Sequence, residues 1–93
     1  MGDETDYQRA VRRHRAGDLA AAEADYLRIL AADPNHSDAW ANLGAVQSAQ
    51  GRNTEAIDCY RRALEARPGH PAATFNLGVV LLRVGRPAEA LDR

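Results

Sequence analysis

Residues 37–51 read SDAWANLGAVQSAQG, and residues 71–85 read PAATFNLGVVLLRVG. The segment Asn-Leu-Gly at 42–44 returns at 76–78, an offset of 34 residues (76 − 42). The same offset relates Gly17 to Gly51 and Gly85, Ala22 to Ala56 and Ala90, Tyr26 to Tyr60, Leu30 to Leu64, and Pro34 to Pro68. A fixed period of this length predicts an array of stacked helical repeats and not a globule with one central core.

Composition excludes several classes of partner. The chain has 93 residues, of which 27% are charged, and a formal net charge of −1. This balance argues against nucleic acid or an anionic membrane as a partner. All 12 basic residues are arginine, which indicates a GC-rich and bacterial genome. Because no leader peptide and no membrane-length apolar run is visible, we expect a cytoplasmic protein.

Glycine, proline and capping residues divide the chain into helices joined by short loops. The pattern predicts an all-α fold with helices at about 4–16, 19–32, 38–50, 54–67 and 71–84, and a sixth opened by Pro87. The expected helix ends are Gly17, Gly51 and Gly85, and the expected N-caps are Asp18, Ser37 and Asn53. Short loops place consecutive helices antiparallel.

One repeat carries most of a known signature, with Trp40, Leu43, Gly44, Ala56, Tyr60, Ala63 and Pro68 at the matching positions. The chain therefore resembles the tetratricopeptide repeat (TPR) family. This resemblance implies a right-handed solenoid of antiparallel helix pairs in a single domain over 1–93. It would hold full repeats at 3–36 and 37–70 and a truncated third at 71–93. The sequence departs from the family pattern at Gln47, where the family prefers Tyr.

Close helix packing is expected around Gly44. Small side chains at Ala56 and Ala63 are predicted to lie opposite this glycine, and a larger residue there would overpack the contact. In the first repeat, Asp6 and Arg9 occupy the Trp and Leu positions of the pattern. We interpret the charged first helix as a polar N-terminal cap with a solvated face.

The other end of the chain is apolar. The fifth helix is the richest in large apolar residues, and no complete partner helix follows it in the sequence. We therefore expect a fragment of a longer protein that forms a homo-oligomer through this end. The predicted self-association residues are Phe75, Val80, Leu81, Leu82 and Val84.

The first helix of each repeat lines a concave groove in the family that the chain resembles. One stripe along these helices predicts a peptide-binding groove formed by Gln8, Val11, Arg15, Asp38, Asn42, Ala45, Ala49, Asn76, Val79 and Arg83. Asn42 and Asn76 recur at one repeat position, with Gln8 as a longer substitute. Such an amide series can pair with a peptide backbone. It resembles the asparagine ladder in the TPR arm of O-GlcNAc transferases. Arg15 and Arg83 would suit a carboxylate.

Other features of the sequence carry no catalytic chemistry. His36 and His70 occupy equivalent repeat positions, and no residues with metal-ligand spacing surround them. Cys59 is interpreted as a structural thiol. Tyr7 and Val11 stand where the chaperone-binding TPR type carries Lys and Asn, so heat-shock chaperone tails are not expected ligands. We predict no catalytic residues, no metal, no cofactor and no enzymatic activity.

The expected function is a protein–protein interaction module that binds an extended peptide or partner protein in the groove. Two alternatives remain. The chain could be the N-terminal recognition arm of a larger bacterial glycosyltransferase or sulfotransferase, because such enzymes often begin with similar repeats. It could also be a self-assembly module that uses the apolar fifth helix.

Overall fold

Five α-helices make up the architecture. The computed structural model describes residues 4–85, in which the helices are α1 (Asp6–Arg15), α2 (Leu19–Ala32), α3 (Ser37–Ala49), α4 (Asn53–Ala66) and α5 (Pro71–Arg83). The described part of the chain contains no strand, which confirms the all-α prediction. The sixth helix expected from Pro87 lies outside the described residues.

The first helix of each of the first two repeats, α1 and α3, ends in the same way. Gly17 and Gly51 have φ values of 82° and 79°, a left-handed conformation that glycine adopts without steric cost. The N–H of Asp18 then donates to the carbonyl of Arg13, at 2.9 Å, and Arg52 bonds to Gln47 in the same way. These are Schellman motifs, which satisfy carbonyl groups that a helix end leaves free.

α2 and α5 begin at Leu19 and Pro71 as predicted, but the cap of α3 differs from the sequence prediction. The N-cap of α3 is His36 and not Ser37, and His36 Nδ1 accepts a hydrogen bond from the N–H of Ala39 at 3.1 Å. His70 caps α5 in the same way, through Ala73. An imidazole nitrogen can replace the usual hydroxyl or carboxylate here because it accepts from the same exposed N–H group.

Two further N-caps also depart from expectation. Asp18 is the N-cap of α2, but its side chain makes no capping hydrogen bond. For α4 the N-cap is Arg52, also without a side-chain cap bond, and Asn53 is already inside the helix. The α1 start does follow a standard pattern, a capping box between Thr5 and Gln8.

Each helix packs chiefly against its neighbours along the chain, and the closest packing is within the pairs α1–α2 and α3–α4. α1 also contacts α3, and α3 contacts α5, so that the odd-numbered helices follow one another along one side. The extents are 48 × 25 × 18 Å. An elongated stack of neighbouring helix pairs is the organisation of a solenoid.

The apolar core has two adjoining parts. The first includes Tyr26 and Leu43 and joins α1, α2 and α3, and the second includes Tyr60 and Leu77 and joins α3, α4 and α5. Trp40 packs against both parts, and its indole N–H donates to the carbonyl of Pro34 at 2.7 Å. Leu43 lies in the first part and thus packs against the preceding repeat.

The structure corrects the predicted self-association surface. Val80 and Leu81 are 1% and 0% exposed and belong to the second part of the core. They face α4, because helical periodicity turns them away from the exposed side of α5. Phe75, Leu82 and Val84 are exposed, so only these members of the set are available to another molecule.

The atoms nearest to Gly44 belong to an aromatic ring, that of Tyr60, which the sequence analysis did not predict beside the two alanines. A Cβ atom placed on Gly44 would lie 2.7 Å from Cε1 of Tyr60. The ring is fully buried and cannot move aside without disturbing the core. Ala56 and Ala63 are buried in the same part of the core. Gly44 is therefore required by the ring of Tyr60, which approaches the α3 backbone too closely for a Cβ atom.

Replacement of this glycine tests the close approach. We expect Gly44→Ala to lower the free energy of unfolding by about 1–3 kcal/mol, since overpacking outweighs the gain in helix propensity. Gly78 is the matched control because it is the equivalent helical glycine, and within the described residues nothing lies within 4 Å of a Cβ placed there. Gly78→Ala should stabilise the protein by about 0.5–1 kcal/mol. Urea unfolding measures both, and equal effects of the two variants would contradict the proposed contact.

Candidate functional site

The predicted groove residues lie on the odd-numbered helices, and every one of the ten is exposed or half-buried. Gln8, Val11 and Arg15 come from α1, while Asn76, Val79 and Arg83 come from α5. The remaining four are on α3. This side of the stack is thus open to a ligand along the length of the described chain. Binding of a peptide there stays a prediction.

A pocket of about 490 Å³ lies where the first and second repeats meet. α1 supplies four of its lining residues, α2 supplies one and α3 supplies one. The lining residues are Tyr7, Val11, His14, Arg15, Tyr26 and Asn42. Val11, Arg15 and Asn42 belong to the predicted groove, and the other three were not predicted as site residues.

Tyr7 joins the two repeats at this pocket. Its hydroxyl accepts a hydrogen bond from the Asn42 amide at 2.8 Å. The Tyr7 ring stacks on His36, with centroids 5.1 Å apart, and meets the Tyr26 ring edge-on at 6.3 Å. Since the hydroxyl accepts from Asn42, its own hydrogen remains available to a ligand.

Tyr26 reaches the pocket from the core. The residue is 0% exposed, and within residues 4–85 its hydroxyl has no hydrogen-bond partner that meets the usual geometry. Burial raises the pKa of Tyr26 to about 12, so the hydroxyl is a protonated donor at neutral pH. A hydrogen-bond interaction with Asn42 lowers this pKa in part, but it does not meet the geometry of a bonded pair, and the Asn42 amide N–H bonds to Tyr7. An unpaired buried hydroxyl costs stability.

His14 and Arg15 complete the pocket with one neutral and one charged side chain. His14 meets the Tyr26 ring edge-on at 6.2 Å, and burial lowers the pKa of its imidazole, which favours the neutral form. Arg15 is exposed, and no carboxylate of the described chain pairs with it. By contrast, the arginines that do pair with carboxylates include Arg9, Arg12, Arg13, Arg28 and Arg52.

Several predicted groove side chains already have partners within the chain. The Gln8 amide oxygen accepts from the N–H of Thr5 in the α1 capping box, which leaves its NH2 group for a ligand. Asp38 lies 2.7 Å from Nε2 of His70. Arg83 donates to the hydroxyl of Ser48 at 2.8 Å. These bonds fix groove residues in place, so the site is partly organised before any ligand binds.

Asp25 holds α1 in position. Its carboxylate is 0% exposed and accepts hydrogen bonds from Arg9, Arg13 and Arg28, the shortest at 2.8 Å. Burial opposes its ionisation, but the hydrogen bonds and charges of the arginines outweigh burial and hold the pKa of Asp25 below its usual value.

This cluster corrects the prediction that the basic face of α1 is simply solvated. Arg9 and Arg13 turn toward α2 because a buried carboxylate there needs compensation. Arg12 pairs instead with Glu4 at the outer surface. The mixture of basic residues on α1 and one acid on the apolar side of α2 was the available sequence signal. It is weak, because the pairing depends on how the two helices face each other.

The repeat pattern by itself did not indicate that the unpredicted pocket residues belong to a site. Tyr26 fits that pattern as a core residue, so its hydroxyl was not considered for a site. Tyr7 has no aromatic equivalent in the second repeat, where Ala41 takes its place. Phe75 takes its place in the third repeat, so the hydroxyl at this position occurs in the first repeat alone and was a usable signal.

Elsewhere the described residues offer little reactive chemistry. Cys59 is buried and donates to Gln47 at 3.0 Å, and burial raises the pKa of its thiol to about 11. A thiol of this kind is a poor nucleophile at neutral pH. No cluster of three or more potential metal ligands occurs in residues 4–85. Within the same residues, every helix is too short or too polar to cross a membrane.

Comparison with known protein families identifies one match. The tetratricopeptide repeat model matches residues 7–69 and, in a second overlapping alignment, residues 46–92. A comparison with proteins of curated function found no significant match.

Solved structures with the same fold include three proteins of greater length. MamA superposes with a TM-score of 0.89 at 24% identity, over 94% of this chain and 51% of its own. SycD, the type III secretion translocator chaperone of Yersinia enterocolitica, was solved with a peptide of the translocator YopD. It gives 0.87 at 26% identity, over 91% of this chain and 65% of its own. YrrB is described as a TPR protein with an unusual peptide-binding site. It superposes with a TM-score of 0.89 at 26% identity, over 97% of this chain and 47% of its own. The chain thus spans about half to two-thirds of these proteins.

The Asp25 cluster makes a prediction about the attachment of α1. We expect Asp25→Asn to lower the free energy of unfolding by about 2–3 kcal/mol at neutral pH. This lies below the usual cost of breaking a buried pair, because the arginines are partly exposed. Since folding lowers the pKa of Asp25, its contribution is present above the unfolded-state pKa. It is lost as the pH falls through the folded-state value.

Urea unfolding at a series of pH values measures this contribution. The wild type and Asp25→Asn should therefore converge in acid. Glu55→Gln is the control, because Glu55 forms an exposed ion pair with Arg52 and should change stability little. A constant difference between wild type and Asp25→Asn at every pH would contradict the ionic role.

Proposed function

Because the chain belongs to the tetratricopeptide repeat family, we propose that it is a protein-interaction module whose groove binds an extended peptide. The groove runs over α1, α3 and α5. The observation that carries the proposal is the pocket at the junction of the first two repeats, which opens among the predicted groove residues. SycD with its bound YopD peptide and YrrB with its peptide-binding site support a peptide as the ligand.

Two asparagines support recognition of the peptide backbone. Asn42 and Asn76 are both half-buried on the open side of the stack. Asn76 makes no side-chain hydrogen bond within the described residues, so its donors and its acceptor are both available. An amide that both donates and accepts matches the alternating groups of a peptide backbone. Affinity would then depend little on the peptide's side chains along this part of the groove.

The same asparagines support a finer proposal. Their likeness to the TPR arm of O-GlcNAc transferases suggests that the module delivers a peptide to another domain of a longer bacterial protein in the cytoplasm. The module itself then binds and does not catalyse. Enzymatic activity of any kind in the isolated chain would contradict this proposal.

The amide proposal predicts a loss of peptide capture. We expect the wild type to enrich extended peptides from a displayed random library, and Asn42→Ala/Asn76→Ala to lose that enrichment. Each lost amide contact should cost about 0.5–1.5 kcal/mol of binding. Asn35→Ala is the matched control, because Asn35 is an exposed amide in the loop before α3. Thermal unfolding checks that the variants remain folded. Equal enrichment by the double variant would reject the amide mechanism, and no enrichment by the wild type would reject peptide binding.

A second candidate function is self-assembly through α5. Phe75, Val79 and Leu82 follow one another at helical spacing and are 71%, 37% and 60% exposed. An apolar stripe of this kind favours association.

If α5 mediates assembly, Leu82→Glu should shift the protein to a smaller mass without affecting peptide capture, because a buried charge opposes association. Sedimentation velocity over a wide concentration range measures the mass. Leu27→Glu is the control, since Leu27 is exposed on α2 and away from this stripe. A monomer mass for the wild type throughout the range would eliminate the candidate.

A further inference from the structure

The first inter-repeat pocket presents hydrogen-bond donors with no acidic partner of their own. Arg15 carries a positive charge that no carboxylate of the described chain neutralises. Tyr7 has a free hydroxyl hydrogen, because its oxygen accepts from Asn42. Tyr26 adds a buried hydroxyl without a bonded partner in the described residues. A guanidinium and two hydroxyl groups favour a negatively charged acceptor.

The acidic residues near the pocket are already engaged. The carboxylate of Asp25 is paired with three guanidinium groups. Asp38 is close enough to raise the pKa of Tyr7, after the larger effect of burial, but its carboxylate bonds to His70. Neither fills the pocket. The neutral His14 adds no competing charge.

We propose that this pocket binds a carboxylate group of the partner peptide, with Arg15 as the counter-ion and the hydroxyls of Tyr7 and Tyr26 as donors. Arg15 is exposed and can follow the ligand inward, whereas the Tyr26 hydroxyl lies just beneath the pocket surface. Binding supplies the acceptor that Tyr26 lacks, which converts an unfavourable buried group into a specific contact. The pocket volume of about 490 Å³ admits an aspartate or glutamate side chain, or a peptide C-terminus.

Of the two repeat junctions within residues 4–85, only the first carries this set of residues. At the second junction, Tyr26 and Asn42 have direct equivalents in Tyr60 and Asn76, but the other four lining residues change. Ala41, Ala45, Ser48 and Ala49 replace Tyr7, Val11, His14 and Arg15. Arg83 reaches back to Ser48 there. A single anionic anchor at one end of the groove would fix the register of a peptide that the asparagines hold only through its backbone.

This inference rests on the proposed peptide function, so two measurements separate them. The first uses protein labelled with 13C at the tyrosine ring carbons and sodium acetate as the probe, with sodium chloride at matched ionic strength as the control. We expect acetate to cause saturable NMR shifts at Tyr7 and Tyr26 but not at Tyr60. Arg15→Gln should abolish those shifts. No acetate-specific shift at Tyr26 overturns the anion site, whatever the peptide results.

The second measurement uses peptides selected from the random library by the wild type. We expect an acidic residue at one position or a free C-terminus, and about tenfold weaker binding after Arg15→Gln or Tyr26→Phe. Tyr60→Phe is the matched control and should bind normally. Replacing Glu with Gln, and separately amidating the C-terminus, distinguishes the two sources of the carboxylate. Full affinity after both neutralisations overturns the carboxylate inference while the peptide function stands.

If no peptide is selected, the peptide function fails, and the acetate titration still decides whether the pocket binds a carboxylate. The melting temperature of Tyr26→Phe is a further control, and its measurement needs no ligand. Because the hydroxyl is unpaired and buried, its removal should leave the melting temperature unchanged or raised. A lower melting temperature would mean that the hydroxyl has a structural partner in the free protein, which would overturn its role as an available donor.

Discussion

Stacking between successive helices is the constraint on which the rest of the structure depends. No helix pair here encloses a core alone, because each apolar face is completed by the next helix along the chain. The contact between repeats is centred on α3, where Leu43 faces back to the first repeat and Ala41 faces forward. Trp40 contacts both parts of the core. The groove follows from this arrangement, since helices that stack in sequence leave one side of α1, α3 and α5 uncovered.

Close packing and polar chemistry meet in the first repeat. Tyr26 and its neighbour Asp25 lie on adjacent positions of α2 and point to different surroundings. Asp25 pairs with arginines and joins α1 to α2, while the Tyr26 hydroxyl has no hydrogen-bond partner among residues 4–85. One buried group therefore holds two helices together, and the other is the donor that we propose for a ligand. Such a division is expected where a binding site is built on a repeat whose other positions serve packing.

The sequence predicted the helices well, but it predicted their N-caps and the exposed face of α5 less well. The 34-residue period and the turn residues predicted these five helices, and the observed bounds differ by at most two residues. The N-caps were less predictable, since His36 and His70 take a role that hydroxyl and carboxylate side chains usually fill. The exposed face of α5 was also misjudged at Val80 and Leu81, because hydrophobicity alone does not tell which side of an apolar helix meets its neighbour.

By itself, the sequence determined the repeat register, the helix order and the stripe of residues that lines the open side. These follow from local spacing, which fixes which residues share a helix face. Tertiary structure decided which of those residues meet across helices. Tyr7 and Asn42 are 35 residues apart in the chain and 2.8 Å apart in space. Tyr60 explains Gly44, and Asp25 explains the arginines of α1, only once the helices are packed. Contacts of this kind depend on the angle and distance between helices, which no local pattern encodes.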